Sequence, residues 1–173
     1  MTMTLVQTVT VGAGGASTIV FESIPQTATD LLLTFSLRTN RAGTEYDYQN
    51  FFFNDNGAGW SSKRLLGTGS SASSSSPTYL NPLATTSGST SNTFSSGQIY
   101  VPNYASSAHK TASGDMVTET NATESWLSLV AVKWANTAAI TSVQIYGAGG
   151  TIQQYSTASL YVIQKGSGGA SVS

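Results

Sequence analysis

Trp126-Leu127-Ser128-Leu129-Val130-Ala131-Val132-Lys133-Trp134 is the stretch that decides the fold class. Trp126, Ser128, Val130, Val132 and Trp134 fall on one side of an extended chain, and Leu127, Leu129, Ala131 and Lys133 fall on the other. That is the period of two of a β-strand rather than the 3.6 of a helix. Working outward, the same kind of run recurs between Gly, Ser, Asn and Pro punctuation. Asp30–Arg38 holds Leu31-Leu32-Leu33-Thr34-Phe35-Ser36-Leu37 and reads as a strongly buried strand. Leu5–Val11, Ser17–Phe21, Gly97–Asn103, Ile140–Tyr146 and Ser159–Gln164 add further strands, with weaker ones in Lys110–Thr120. Gln49–Asn54 carries Phe51-Phe52-Phe53, then the turn Asn54-Asp55-Asn56-Gly57, with Trp60–Leu66 as the expected hairpin partner.

No sustained helical periodicity appears, and short turns near Asn121–Ser125 and Trp134–Ala138 are the helix candidates. About eight to ten short strands with long connections predict an all-β fold, a two-sheet antiparallel β-sandwich of jelly-roll type. The aromatic-rich strands should lie between the sheets. Residues 1–16 form an N-terminal arm or first strand, 17–165 the sandwich domain, and 166–173 a flexible Gly/Ser tail.

Gly67–Asn92 differs from its surroundings, being rich in Ser, Thr and Gly with Pro77, Pro82 and the apolar anchors Tyr79, Leu80 and Leu83. Loops of this length are uncommon in compact domains unless they are functional or order on contact. It is read as an extended surface excursion that packs on a neighbouring subunit, with a floppy loop as the equal alternative.

Composition narrows the function classes. Apolar residues make up 39% of the 173, enough for a core, but charged residues are only 9% and the net charge is −1, against about 25% charged residues in ordinary domains. Ser and Thr supply nearly a third of the chain. So little self-repulsion permits close packing against copies or neighbours. Without cysteine there are no disulfides and no thiolate chemistry. Lys63-Arg64 is the sole adjacent basic pair, which leaves nucleic-acid binding without its electrostatic footprint. No apolar run is long enough for a membrane-spanning helix, and Met1-Thr2-Met3-Thr4 does not read as a signal peptide. Synthesis in a cytoplasm is expected, with any exit inside a particle or by lysis.

Candidate chemistry is sparse. A Ser–His–Asp arrangement would have to use His109, which sits in the polar run Ser106-Ser107-Ala108-His109-Lys110. A glycosidase would need two carboxylates across a cleft, whereas Glu45 and Asp47 share one strand face and read as a solvated edge. Asn54-Asp55-Asn56-Gly57 is oxygen-rich, but a calcium site wants more carboxylates, and a tight turn explains the residues. Tyr46, Tyr48, Trp60, Tyr79, Tyr100 and Tyr104 could stack sugars, but packing is the preferred reading. The sequon Asn121-Ala122-Thr123 would matter only in a cell that glycosylates asparagine. No enzyme activity, metal or cofactor is expected.

Several phrases taken together resemble a known family. They are Phe21-Glu22-Ser23-Ile24-Pro25-Gln26-Thr27, Asp30-Leu31-Leu32-Leu33, Arg64-Leu65-Leu66-Gly67-Thr68-Gly69-Ser70-Ser71, Ile99-Tyr100-Val101-Pro102-Asn103-Tyr104, Trp134-Ala135-Asn136-Thr137-Ala138-Ala139-Ile140-Thr141-Ser142 and Ser156-Thr157-Ala158-Ser159-Leu160-Tyr161. In this order they resemble small structural proteins of tailed bacteriophages, notably phages of cyanobacteria and other aquatic bacteria. The resemblance implies a β-sandwich and a place in the virion, and brings no catalytic residues.

The expected function is a capsid cement or decoration protein on the head surface. The alternative is a tail or head-fibre component that binds a host glycan. Expected partners are the major capsid protein and copies of the chain itself, a homotrimer by the cement analogy, with neither nucleic acid nor membrane. Candidate contacts are Leu5, Val6, Val9 and Val11 in a charge-free N-terminal segment suited to strand addition, and Tyr79, Leu80 and Leu83 in the excursion.

Overall fold

The computed structural model describes residues 1–120 and 125–166. Thirteen strands follow in chain order: β1 Thr2–Thr10, β2 Thr18–Phe21, β3 Asp30–Ser36, β4 Tyr46–Tyr48, β5 Asn50–Phe53, β6 Trp60–Gly67, β7 Ala72–Ser75, β8 Leu83–Thr85, β9 Ser96–Val101, β10 Lys110–Val117, β11 Leu127–Trp134, β12 Val143–Tyr146 and β13 Thr157–Gln164. Eight of them make one large sheet in the order β1-β13-β3-β9-β10-β11-β6-β7. A three-stranded sheet, β2-β12-β5, and the pair β4-β8 complete the molecule. Every strand pairing within these sheets is antiparallel. The all-β antiparallel sandwich expected from the sequence is therefore observed. A division of eight, three and two strands does not by itself establish the jelly-roll winding.

Alternation explains the layers. In β11 the burial pattern switches at every residue, with Ser128, Val130, Val132 and Trp134 turned inward. On β3 the inward residues are Leu31, Leu33 and Phe35, and on β12 they are Val143 and Ile145. The core runs between the large and the three-stranded sheets. At its centre the Phe53 ring lies 5.6 Å from Trp134 and 5.1 Å from Trp60. Apolar burial of this kind stabilises by about 25 cal/mol per Å² removed from water. On β9, Gly97 is required by space: a Cβ there would come within 2.4 Å of the Phe35 ring and 2.8 Å of Met116.

Several local expectations are corrected. Trp60–Leu66 is not the hairpin partner of the Phe51-Phe52-Phe53 strand. β5 pairs with β12 and β6 with β11, so the Asn54–Gly57 turn carries the chain from one sheet to the other. The rings of Phe53 and Trp60 meet across the core rather than side by side. The Gly67–Asn92 stretch is not a surface excursion throughout. Between Leu80 and Thr86 it dives inward, with Leu80, Leu83, Ala84, Thr85 and Thr86 fully buried and β8 paired to β4, before Ser87, Gly88 and Thr90–Asn92 return to the surface. The segment Trp134–Ala138 forms no helix. The other helix candidate, apart from Ser125, lies outside the described residues, as do the sequon and all of the Gly/Ser tail beyond Gly166.

The N-terminal segment is a strand of the chain's own large sheet, paired along its length with β13. A bulge between Leu5 and Gln7 shifts its register. Before the bulge Leu5 shares the outer face with Tyr161; after it Thr8 lies beside Ser159 on that face, with their hydroxyls 2.8 Å apart, and Val9 packs on the core. A single inserted residue thus divides a stretch whose sequence reads as one alternation.

Candidate functional site

One side of the large sheet covers the core; the other is open. Antiparallel partners project to the same face, so the register gives the outer rows directly. One row crosses all eight strands as Ser74, Leu65, Leu129, Asp115, Gln98, Thr34, Ser159 and Thr8. The next runs Lys63, Ala131, Ser113, Tyr100, Leu32, Tyr161 and Leu5. All these residues are exposed or half-exposed. Leu65, Leu127 and Leu129, adjacent on β6 and β11, are 51%, 52% and 49% exposed. Beside them a shallow groove of 520 Å³ is lined by Leu65, Leu129, Ala131, Ser113 and Lys63, among others. Charge on this face is confined, among the described residues of the paired rows, to Lys63, Lys133 and Asp115, with the Lys165–Asp30 pair at one corner.

That corner is well held. The Asp30 carboxylate accepts from Tyr100 Oη at 2.6 Å and from the Asn103 amide at 3.0 Å, and Lys165 Nζ lies 3.2 Å away. Burial pushes the carboxyl pKa up, but these donors outweigh it and hold Asp30 below its ordinary value.

Among the described residues two unpaired edges flank the face. Edge strands are ordinarily guarded by charge, proline or a bulge. β1 has no charge and no proline, only its bulge, and it exposes Met3 and Leu5 at 55% and 51%. β7, four exposed residues, forms the opposite edge.

Among the contact candidates read from the sequence, three are not available to a partner. Val11, Leu80 and Leu83 are core residues, 4%, 0% and 0% exposed. Val6 and Val9 are half-buried against the core, and Tyr79 packs edge-on to Phe52 with ring centres 5.1 Å apart. Leu5 alone of the seven stands exposed. The residues missed are Leu65, Leu127 and Leu129. Their signal was present, because β11 is apolar on both sides of its alternation, which a strand with one solvated face does not need.

The other sequence candidates are used structurally. Asp47 is not on a solvated edge: it is fully buried, with Arg41 Nη1 2.7 Å from one oxygen and the Thr39 hydroxyl donating to the other at 3.2 Å. In the Asn54–Gly57 turn, Asn54 and Asp55 take positive φ, and Asn54 Oδ1 accepts from the amides of Thr141 and Ser142. His109 is exposed, while its neighbour Lys110 is buried and donates to the carbonyls of Ser106 and Ala108 at 2.7 and 2.6 Å. Burial pushes the Lys110 ammonium pKa down. Among the described residues no three His, Asp or Glu side chains are grouped to hold a metal. Of the six rings considered for sugar stacking, Trp60 and Tyr104 are buried, Tyr46 and Tyr48 pack on Trp126, Tyr79 on Phe52, and Tyr100 holds Asp30.

Comparisons with protein-family models, with curated proteins and with solved structures found no match to this chain.

One aromatic ring stands apart. Tyr155 is 70% exposed and has φ 70°. The other positive-φ residues outside glycine are Ser, Asn or Asp, which tolerate that region; a bulky side chain there costs about 1–3 kcal/mol.

The tyrosines give a pH prediction. The hydrogen bond to Asp30, then burial, pushes Tyr100 up to about 12, and the bond to Asp55, then burial, does the same for Tyr146. Burial raises Tyr48 to about 12 against the opposing charge of Arg64. A phenol whose pKa is raised on folding stabilises the native state fully below its unfolded pKa of 10.0 and loses that contribution as pH rises to about 12. Ultraviolet titration should show these three ionising late, with stability falling across that window. All eight tyrosines titrating together near their ordinary pKa in the folded protein would contradict it.

Proposed function

We propose that this chain is a structural protein of a tailed-phage virion, a cement or decoration protein that lays the open face of its large sheet on the assembled head shell. The observation carrying the reading is that face: eight strands wide, dressed in hydroxyls and a few leucines, and almost without charge. Seven strand spacings of about 4.8 Å by six residues of about 3.3 Å give roughly 670 Å². That approaches the ~800 Å² per partner of a stable protein interface. The resemblance of the sequence to small phage structural proteins supports the same reading, and the jelly-roll winding and trimeric assembly belong to it as well.

The mechanism is mass action. A protein that binds the assembled shell and not its dissociated subunits shifts the equilibrium toward the shell. Each copy need add only a few kcal/mol, because many act together. Coat protein and adjacent copies are the partners, and the chain performs no chemistry.

Co-sedimentation with heads that lack the chain tests the reading. Docking through a neutral face should persist at about 1 M salt, where the screening length falls to ~3 Å. Binding that vanishes between about 0.1 and 1 M salt would mean charge pairs hold the complex, and the reading would fail.

A further inference from the structure

Tyr155 lies in the turn between Ile152 and β13, away from the rows of the open face. Its ring makes no aromatic contact and its hydroxyl no hydrogen bond among the described residues, so folding gains little from it. Its backbone meanwhile occupies a region where glycine or asparagine would be at ease. A residue that strains the chain and buries almost nothing calls for another reason to be there.

The surroundings supply one. Tyr155 borders a cleft of 360 Å³, within the range of small-ligand sites. The cleft is lined by Asn92, Gln153 and Gln154, whose side-chain amides make no hydrogen bond among the described residues. Asn40 also lines it, with Oδ1 taken by the Thr151 amide and no hydrogen bond from its NH₂ among the described residues. Each amide carries a donor and an acceptor, which suits the paired hydroxyls of a sugar. An exposed phenol ring suits the C–H face of the same sugar. Arg38 is the one charged residue among those lining the cleft. Its guanidinium donates from Nη1 to the carbonyls of Thr90 and Thr93 and from Nη2 to that of Ser89, and no carboxylate pairs with it among the described residues. With no acid lining the cleft, its field favours an anionic ligand.

We infer that the Tyr155 cleft binds a saccharide, with uronic-acid units preferred over neutral ones. Tyr155 stacks on the sugar ring, the Asn92, Gln153 and Gln154 amides read its hydroxyls, and Arg38 favours its carboxylate. The inference is independent of docking through the large sheet.

The test is an NMR titration of the full chain with a galacturonate hexamer and, separately, a neutral glucan hexamer. Saturable shifts at the amides of Asn92 and Gln153–Tyr155, tighter for the galacturonate, are expected. Tyr155→Gly should weaken binding by about tenfold or more while its urea midpoint stays equal or rises, because the strain is relieved. Tyr155→Phe should bind as the unaltered chain does. Absence of saturable shifts with both sugars overturns the inference, as does undiminished binding by Tyr155→Gly. If neither sugar binds and Tyr155→Gly is lost from purified virions, the cleft contacts a protein and the saccharide assignment falls.

Discussion

Trp134→Ala should cost about 3–5 kcal/mol of folding stability, the loss typical of deleting a large buried ring. Trp134 is 1% exposed at the end of β11, where the large sheet faces the three-stranded one. Its ring centre lies 5.6 Å from Phe53 and 6.0 Å from Trp60, and Phe53 stands 5.1 Å from Phe51. Removing it leaves a void bounded by rings on strands of both sheets, and rigid aromatics cannot collapse to fill it. Against a total of about 5–15 kcal/mol for an ordinary domain, such a loss leaves little margin. The indole Nε1 has no hydrogen-bond partner despite its burial. Trp134→Phe therefore keeps most of the packing and removes an unsatisfied donor, and should cost less than half as much as the alanine variant. Urea denaturation measures both, with an unchanged m-value required for the comparison. An alanine variant weaker by under about 1 kcal/mol would mean the site relaxes, contrary to the packing described.

The double substitution Leu65→Glu, Leu129→Lys should abolish attachment to the head shell while leaving the fold intact. The two leucines are direct cross-strand partners on the open face, each about half exposed. Opposite charges facing one another across a pair are worth a few tenths of a kcal/mol to the sheet, and the introduced lysine also faces Asp115. Stability should therefore be unchanged within ~0.5 kcal/mol, as for ordinary surface substitutions. In a docked interface the same two charges would be stripped of water without partners across the contact, at a cost of several kcal/mol. Each 1.4 kcal/mol is about a factor of ten, so binding should fall by more than about a hundredfold. Normal attachment of a folded double variant would exclude this part of the face from the contact.

How far the sequence reveals this architecture depends on whether a strand carries its own pattern. β11 and β3 announce themselves, because alternation in one and a leucine run in the other are local properties. β7 does not: Ala72-Ser73-Ser74-Ser75 is exposed throughout and is held only by its register with β6. β8 is buried on both faces and three residues long, too short for any period to show. The burial of Asp47 depends on Arg41 and Thr39 meeting it in space, and a carboxylate next to two tyrosines in sequence reads as solvated without them. The bulge at Val6 has no local signature, which is why Leu5 and Val9, alike in sequence spacing, end on opposite faces. The open face was half legible, as leucines on the side of β11 opposite its buried one. The Tyr155 cleft was not, since it is assembled from turns around residues 40, 92 and 153.

The central claim, that the chain coats the head shell, is met most directly by its copy number in purified virions. Quantitative mass spectrometry against the major coat protein gives the ratio. Shell-wide docking predicts a ratio near one, or a simple fraction of comparable size. Only a handful of copies per particle would contradict it and place the protein in an appendage.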